Sequence, residues 1–372
     1  MDGDCAFGSH RGRVSHEAIG DFWKVQRAGG KGLGVEKEGA SVRKKRLDRG
    51  IKARADTIFA VASYGEILYL LLPRVIPVGL LLALPLILSG YWGKVLVYAC
   101  MYGLLALSWD FLASCGLFSL GQALFFGIGA YIAGIMNHYF HLPPLITLPL
   151  ATIGGGLISA LLLSPVMRLR GVYFAMVTLM LPLLLMKGIE TTGAFGGTHG
   201  LSNLSPFTHD TFATYLAVLG FLFCLFAFRR VINSDYGLVL RAIRDDDRAV
   251  MSGAINIYWR KSQALFISGA VGSFAGALMT HHYQFLGMSA FALDYSILPV
   301  AAVALGGQGS FAGAALGSMI LVPLSETLRA LGGLRIAIYC GILIVSIIGL
   351  PEGIFHFLER KYHQFETMSE VK

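Results

Sequence analysis

Charged residues are scarce in this sequence. Asp, Glu, Lys and Arg make up 14% of the 372 residues, whereas apolar residues make up 55%. A soluble protein would carry about a quarter charged residues. The apolar residues form long continuous runs rather than alternating with polar ones, which argues against a transmembrane β-barrel. Together with the abundance of glycine, these features predict an all-α polytopic membrane protein.

Paired cysteines are also missing. None of the cysteines forms a Cys-x-x-Cys pair, and Cys100, Cys115, Cys224 and Cys340 lie in or beside apolar stretches. Their spacing implies neither a disulfide framework nor a metal site and predicts small packing residues. The segment GGKGLG at 29–34 lacks the spacing of a phosphate-binding loop, so no nucleotide site is expected in this chain.

Ionisable residues are nearly absent from the apolar runs. The polar residues expected at membrane depth are Ser119, Gln122, Thr178, Ser268 and Ser318. A proton- or sodium-coupled transporter usually carries buried charged residues, so that class is disfavoured, although backbone carbonyls can also bind sodium. The pair His281-His282 falls at the edge of a predicted outer loop and is interpreted as interfacial. No nucleophile–base arrangement supports an intramembrane enzyme.

The apolar runs predict ten membrane spans, each close to the roughly 20 residues needed to cross a bilayer. The spans lie near 75–90, 94–113, 117–136, 145–163, 171–190, 211–228, 262–280, 290–306, 309–328 and 335–350. Residues 58–72 are expected to form an interfacial segment. The predicted domains are a basic, disordered cytoplasmic tail at 1–57, a transmembrane domain at 58–357 and a cytoplasmic tail at 358–372.

The loop charges predict that both termini are cytoplasmic. Basic residues are concentrated before the first span, in the loops 164–170 and 229–261 and after the last span, whereas the loops 137–144, 191–210 and 281–289 contain no Lys or Arg. This alternation follows the positive-inside rule. Lys94, Arg329 and Arg335 are exceptions on the outer side. Membrane topology thus explains the net charge of +8 without nucleic-acid binding.

Small residues recur every four positions in two of the predicted spans. The two sets are Gly309, Gly313 and Gly317, and Ser268, Gly272, Gly276 and Thr280. Such faces let two helices approach closely. We therefore expect both sets to pack helices together.

The longest polar interruption is the segment 229–261. It contains no Pro from 236 to 251, which favours one amphipathic helix there. Arg241, Arg244, Asp245 and Arg248 would share one face at helical spacing and could pair along it, with Asp247 as a further partner of Arg244.

The ends of this helix carry capping signals. Ser234 or Asp235 could cap its start, and Gly253 its end. The pattern fits a docking element for another protein. It also fits a solvated connector or a helix that lies on lipid headgroups.

The stretch GLVLRAIRDDDRAVMSGAINIYWRK at 237–261 resembles the cytoplasmic loop of branched-chain amino acid ABC importer permeases of the LivM type, whose pattern is GxxLRAIRExxxxAxxxGIN. The matching residues are Arg241, Ala242, Ile243, Arg244, Ala249, Gly253, Ile255 and Asn256. Asp245 replaces the usual Glu, and Ala254 falls just before the Ile-Asn pair.

Five further blocks resemble the same family in the same order. They are FSLGQALFFGIGAYIAG at 118–134, RGVYFAMVTL at 170–179, FGGTHGL at 195–201, VALGGQGSFAGAALGS at 303–318 and LPEGIF at 350–355. The fourth block has Ala314 in place of the usual Pro, and the last lacks the usual Arg. The resemblance covers approximately residues 75–357.

The resemblance implies one half of a two-permease pore that imports branched-chain amino acids across a bacterial-type inner membrane. The implied partners are a LivH-type second permease, two cytoplasmic ABC ATPases, a periplasmic solute-binding protein and membrane lipid. The ATPases would use the ATP, so this chain would bind no cofactor and would not be an enzyme. The residues expected at the ATPase contact are Arg241, Ala242, Ile243, Arg244, Asp245, Asp246, Ala249, Gly253 and Asn256.

Candidate residues for the translocation path are Gly121, Gln122, Phe125, Thr178, Gly196, Gly197 and Gly200. Glycine suits places where backbone approaches a solute, and Gln122 offers both a donor and an acceptor. Helix packing or a tight outer turn would explain the same residues. The main alternative function is a self-contained secondary carrier or channel for a small polar solute, and a membrane-embedded enzyme or scaffold is more distant. Within the importer interpretation, Leu, Ile and Val are the expected solutes, and urea- or amide-type solutes are alternatives.

Overall fold

The structure is a computed structural model that describes residues 64–360, except 89, 170, 208 and most of 332–351. The predicted tail at 1–57, most of the predicted span at 335–350 and the chain beyond 360 lie outside the described residues. The described residues from Arg74 onward form one compact unit, which contains every described helix after the first.

The described part of the chain is built almost entirely of helices. They are α1 (Tyr64–Ile87), α2 (Tyr91–Ala113), α3 (Gln122–Phe140), α4 (Pro144–Leu163), α5 (Val172–Thr192), α6 (Asp210–Ile232), α7 (Asp235–Asp245), α8 (Asp247–Ser252), α9 (Ile257–Tyr283), α10 (Asp294–Gly306) and α11 (Phe311–Thr327). Short 3₁₀ helices lie at Pro165–Arg168, Ala194–His199, Met288–Phe291 and Leu328–Leu331. Residues 354–360 are also helical.

Among the described residues, seven helical stretches are long and apolar enough to cross a membrane. They are α2, α3, α4, α5, α6, α9 and Met288–Gly306, which includes α10. The apolar part of α1, Val75–Ile87, and α11 are shorter. Each predicted span before residue 330 coincides with a described helix, which confirms the all-α polytopic class predicted from the apolar runs.

Helices α2 and α9 form the centre of the bundle. Every residue of α2 from Ala99 to Ala113 is buried. The small-residue face of α9 packs against α2 and α3: the Ser268 hydroxyl donates to the carbonyl of Ser108 at 2.8 Å. A β-carbon at Gly272 would lie 2.6 Å from that of Phe125. These contacts need the short side chains that the four-residue spacing predicted.

The second set of glycines is divided between a helix and a turn. A β-carbon at Gly313 would lie 2.6 Å from the Gly306 carbonyl oxygen, so Gly313 holds α11 close to α10. Gly309 instead lies in the turn between these helices with φ of 83°. The prediction that Gly309 belongs to the packing face is wrong, because a residue in this left-handed conformation cannot continue an α-helix. Ser310 begins α11 by accepting a hydrogen bond from the Gly313 N–H at 3.3 Å.

Two very short strands connect the loops after α5 and α9. β1 (Leu201–Ser202) pairs antiparallel with β2 (Phe285–Leu286), with Leu201 opposite Leu286 and Ser202 opposite Phe285. The pair fixes the loop that follows α5 to the end of α9. The predominantly helical architecture is otherwise uninterrupted in the described residues.

Candidate functional site

The polar loop between α6 and α9 folds as two short helices. Asp246 separates α7 from α8 with φ of −153° and ψ of 105°. Its Oδ1 accepts hydrogen bonds from the backbone N–H groups of Arg248 at 2.8 Å and Ala249 at 3.4 Å. The prediction of one helix over 236–251 is therefore wrong, because the Asp246 side chain caps a new helix instead of allowing the first to continue.

Helix α7 is amphipathic, and its apolar side faces the chain's own bundle. Gly237, Leu240 and Ile243 are buried, whereas Arg241 and Ala242 are exposed. Ile243, a candidate ATPase contact, therefore packs inside this chain rather than at the accessible surface. A partner would meet the charged side of the helix.

The remaining candidate coupling residues are exposed and lie at helix ends. Ala249 is on α8, and Gly253 is its C-terminal cap, as predicted. Asn256 caps the start of α9, where its Oδ1 accepts the Trp259 N–H at 3.1 Å. Ser234 occupies the N-cap position before α7, but its hydroxyl donates to the Val231 carbonyl at 2.6 Å and makes no capping hydrogen bond.

A buried ion pair fixes α8 to α9. The Lys261 Nζ lies 2.9 Å and 3.0 Å from the two carboxylate oxygens of Asp247, and Lys261 is only 7% exposed. Helical spacing also predicts that Asp247 can pair with Arg244. In the structure the Arg244 Nε lies 3.6 Å from the Asp245 Oδ1.

The loop after α2 contacts α7 directly. A β-carbon at Gly116, which has φ of 76°, would lie 3.2 Å from the Arg244 Cα. Beside this contact, burial raises the pKa of the Cys115 thiol to about 12. Burial also raises the pKa of Tyr236 to about 12, although the guanidinium of Arg260 lies 5.6 Å from the centre of its ring. Because Gly116 has no side chain, the backbone of the loop after α2 contacts the backbone of α7 directly.

A buried carboxylate near the end of α2 connects it to the turn before α11. Asp110 is fully buried, and its Oδ1 accepts the Gly309 N–H at 2.8 Å. Its Oδ2 has no hydrogen-bond partner in the described part of the chain. Asp110 is not among the site residues predicted from the sequence, because this residue lies inside an apolar run. Its position three residues before the end of α2 was the available signal.

Four candidate path residues come together where α3 begins. Gly121 and Gln122 start the helix, Phe125 follows one turn later, and Thr178 approaches from α5. The Thr178 hydroxyl accepts the Leu120 N–H at 3.0 Å. A helix start leaves backbone N–H groups without partners, so this hydroxyl replaces the water that the buried position excludes.

Further hydroxyl groups complete this buried polar layer. Ser296 accepts the Ala123 N–H at 3.0 Å. Ser108 donates to the Gln122 Oε1 at 2.8 Å, and the Gln122 Nε2 has no partner among the described residues. The layer joins α2, α3, α5 and α10 by polar contacts. The amide of Gln122 is its unsatisfied donor.

The other three candidate path residues do not join this layer. Gly196, Gly197 and Gly200 lie in and just after the 3₁₀ segment Ala194–His199, with φ values of 88°, 51° and 71°. Gly200 approaches the backbone of β2 so closely that a β-carbon would collide with the Leu286 carbonyl. These glycines form the turn before β1.

His281 is packed among other residues of the protein. It is 1% exposed in the last turn of α9. Its Nδ1 lies 3.0 Å from the Ser205 carbonyl and its Nε2 lies 2.6 Å from the Thr147 hydroxyl. Since a carbonyl only accepts, Nδ1 carries a proton and donates it to Ser205.

Residues 91–348 match the family model described as branched-chain amino acid transport system, permease component. The chain belongs to this permease family. The match includes the polar loop, the buried polar layer and the turn at Gly309. The resemblance inferred from six sequence blocks is thereby confirmed, and the helices that can cross a membrane make this permease a multi-pass membrane protein.

Curated relatives of the permease carry the name LivM. It is 30% identical to the high-affinity branched-chain amino acid transport system permease protein LivM of Salmonella typhimurium and 29% identical to that of Escherichia coli, in both cases over 273 residues that cover 64% of either chain. It is 27% identical over 222 residues to a probable LivM of Methanocaldococcus jannaschii, which covers 54% of this chain and 64% of the relative. The permease thus spans 64% of the length of the relatives it matches. No solved structure matches it.

Proposed function

We propose that this permease is the LivM-type subunit of an ABC importer that moves Leu, Ile, Val or similar small solutes inward. The importer would be driven by partner ATPases, and this chain would bind no cofactor of its own. It would lie in a bacterial-type inner membrane with both termini in the cytoplasm. The names of its relatives support the solute class.

One structural observation carries the proposal. α7 is a surface helix whose apolar side is buried in its own bundle and whose exposed side carries Arg241, Ala242 and Asp245. A merely solvated connector would not need the buried Asp247–Lys261 pair behind it. A rigid helix with an accessible charged face can bind a partner protein and be displaced when that partner moves.

The loop can transmit such a displacement of α7 into the bundle through two contacts. Arg244 lies against Gly116 at the end of α2, and Lys261 joins α8 to the first turns of α9. Both of these helices pack against the start of α3, where Gln122 and Phe125 lie. The proposed ATPase contact and the proposed translocation path are therefore connected through α2 and α9.

The first experiment is affinity purification of the tagged chain from mildly solubilised membranes, with its companions identified by mass spectrometry. We expect a LivH-type second permease and two ABC ATPases. The purified assembly, reconstituted with the periplasmic binding protein, should take up leucine only when ATP is supplied. Uptake by the chain alone that follows an ion gradient would overturn the proposal and establish a secondary carrier.

A further inference from the structure

A cavity of about 670 Å³ opens at the end of the bundle opposite α7. Tyr91, Lys94, Tyr98 and Tyr102 line it from the first half of α2, whereas α7 meets the other end at Gly116. Tyr91 at its rim is exposed. The volume falls within the range of small-molecule sites. In the proposed topology this end of the permease faces outward.

Charged residues of both signs surround this cavity. Lys94 and Arg329 supply two cations, and Asp294 and Glu326 supply two carboxylates. The Glu326 Oε1 lies 2.9 Å from the Arg329 Nη1 and accepts the Tyr91 hydroxyl at 2.9 Å. The four charges come from α2, α10, α11 and the segment after α11. Such an arrangement offers separate partners to a carboxylate and to an ammonium group.

The inner part of the cavity is aromatic and apolar. Tyr102 lines the cavity. Behind this wall Tyr102 stacks on Tyr295 with ring centres 5.4 Å apart, and Tyr295 stacks on Phe126 at 4.1 Å. Leu298 and Val322 add aliphatic walls. The rings shield a bound aliphatic group from water, and tyrosine faces also attract an ammonium ion.

We propose that this cavity is a binding site for a zwitterionic α-amino acid with an apolar side chain. The solute carboxylate binds at Lys94 and Arg329, and its ammonium group binds at Asp294 and Glu326. Its side chain lies against Tyr102, Leu298 and Val322. The assignment rests on the proposed import function. It places the first solute contact on the permease at this cavity.

The stack also connects this cavity to that layer. Phe126, at the inner end of the stack, follows Phe125 in the first turns of α3. Tyr295 precedes Ser296, whose hydroxyl accepts the Ala123 N–H at 3.0 Å. A solute that displaces the ring of Tyr102 would therefore disturb Tyr295, Phe126 and the start of α3.

The test measures equilibrium binding of radiolabelled leucine to the full-length chain in nanodiscs of phosphatidylglycerol. This lipid has no zwitterionic headgroup that could compete for the site. We expect Lys94→Gln and Asp294→Asn each to weaken leucine binding at least about tenfold, since each removes a charge-assisted hydrogen bond. Neither residue has an ion pair among the described residues, so little structural damage is expected. Lys187→Gln, which changes an exposed lysine outside the cavity, should bind like the wild type.

Competition on the wild-type chain gives a second measurement that does not depend on variant folding. 4-Methylpentanoate lacks the ammonium group of leucine, and 3-methylbutylamine lacks the carboxylate. Both should compete at least about tenfold more weakly than leucine if both charges are recognised. Equal competition by either compound would overturn the site.

The site and the proposed function can fail separately. ATP-driven leucine uptake by the reconstituted assembly, combined with wild-type leucine binding in Lys94→Gln and Asp294→Asn, would overturn the site and leave the function in place. Absence of ATP-driven uptake from every assembly would overturn the function, and leucine binding that is lost in both variants would still support the site.

Discussion

Asp247 and Lys261 form a buried ion pair that fixes the short helix α8 to the long helix α9. The Lys261 ammonium contacts both carboxylate oxygens, at 2.9 Å and 3.0 Å. Because α9 packs against α2, α3 and α4, this pair anchors the surface loop to the centre of the bundle. A loop fixed in this way can transmit a displacement, whereas a loosely attached one would absorb it.

Removing the lysine of this pair should destabilise the permease strongly. Lys261→Met leaves the partly buried Asp247 carboxylate without its main counter-charge, which typically costs about 3–5 kcal/mol. The measurement is the free energy or temperature of unfolding in detergent. Lys187→Met removes an exposed ion pair with Glu190 and should cost about 0–1 kcal/mol. Similar losses in both variants would contradict the buried character of the pair.

Reversing the charge of Arg244 should uncouple transport from ATP hydrolysis. Arg244→Glu places an acidic side chain on the accessible side of α7, where Arg244 is adjacent to the loop after α2. We expect ATP-driven leucine uptake to fall at least about tenfold while membrane insertion is unchanged. Arg244→Lys should retain most of the uptake. Arg168→Glu, an equal charge change in another loop on the same side, controls for topology, and its loss of uptake would point to a general charge effect.

The Asp110–Gly309 hydrogen bond predicts a difference between two substitutions. Asp110→Ala removes the acceptor and leaves the Gly309 N–H without its partner, which typically costs about 1–3 kcal/mol. Asp110→Asn keeps an oxygen at the same place and removes a buried charge, so it should be clearly less destabilising. Thermal unfolding of both variants in the same detergent decides this. Equal destabilisation by Asn would mean that the charge, not the acceptor, holds the turn.

The glycines of α9 and α4 give a matched pair. Gly276→Ala would force its β-carbon into the carbonyl of Phe126, and overpacking of this kind costs about 1–3 kcal/mol. At Gly154 the nearest atom, on Ile132, would be 3.6 Å from the new β-carbon. Gly154→Ala should therefore be neutral or stabilising by up to about 1 kcal/mol, because alanine favours the helix. Unfolding temperatures that rank the two variants in the opposite order would contradict the packing described here.

Cys115 should resist thiol reagents while the loop remains in place. Burial raises the pKa of its thiol to about 12 and excludes reagent, so the reactive thiolate is scarce at pH 7. The thiolate fraction of Cys115 rises only as the pH increases towards 12. In a chain whose other cysteines are replaced by serine, maleimide labelling of Cys115 should be slow at pH 7. The exposed variant Ala249→Cys in the same background should label rapidly, and comparable rates would show that the loop opens readily.

The sequence predicted the spans well because length and continuous hydrophobicity suffice to identify them. It also predicted the packing face of α9, since Ser, Gly and Thr residues spaced four positions apart lie on one face of a helix. The amphipathic character of α7 was predictable for the same reason. The family was identified from blocks that lie in α3, α5, the polar loop and the turn before α11.

The remaining features depend on contacts that helical periodicity does not report. A four-residue glycine spacing continues from Gly313 back to Gly309, but only the backbone shows that Gly309 belongs to a turn. Asp246 is a residue that the exposed face of a helix commonly carries, but in the structure it caps the start of α8. Lys94, Asp294 and Arg329 are separated by long stretches of chain, and they meet only because α2, α10 and α11 pack side by side.

Gly116 has a mechanical consequence. Because it carries no side chain, α7 rests on the backbone of the loop that directly follows α2, and the tyrosines of the outer cavity lie in the first half of α2. α2 contains 23 residues. At 1.5 Å per residue such a helix is about 35 Å long, so a tilt of about 5° at the α7 end moves the far end by about 3 Å. α2 can thus serve as a lever that reshapes the cavity around Tyr91 and Lys94 without any change in its own internal structure.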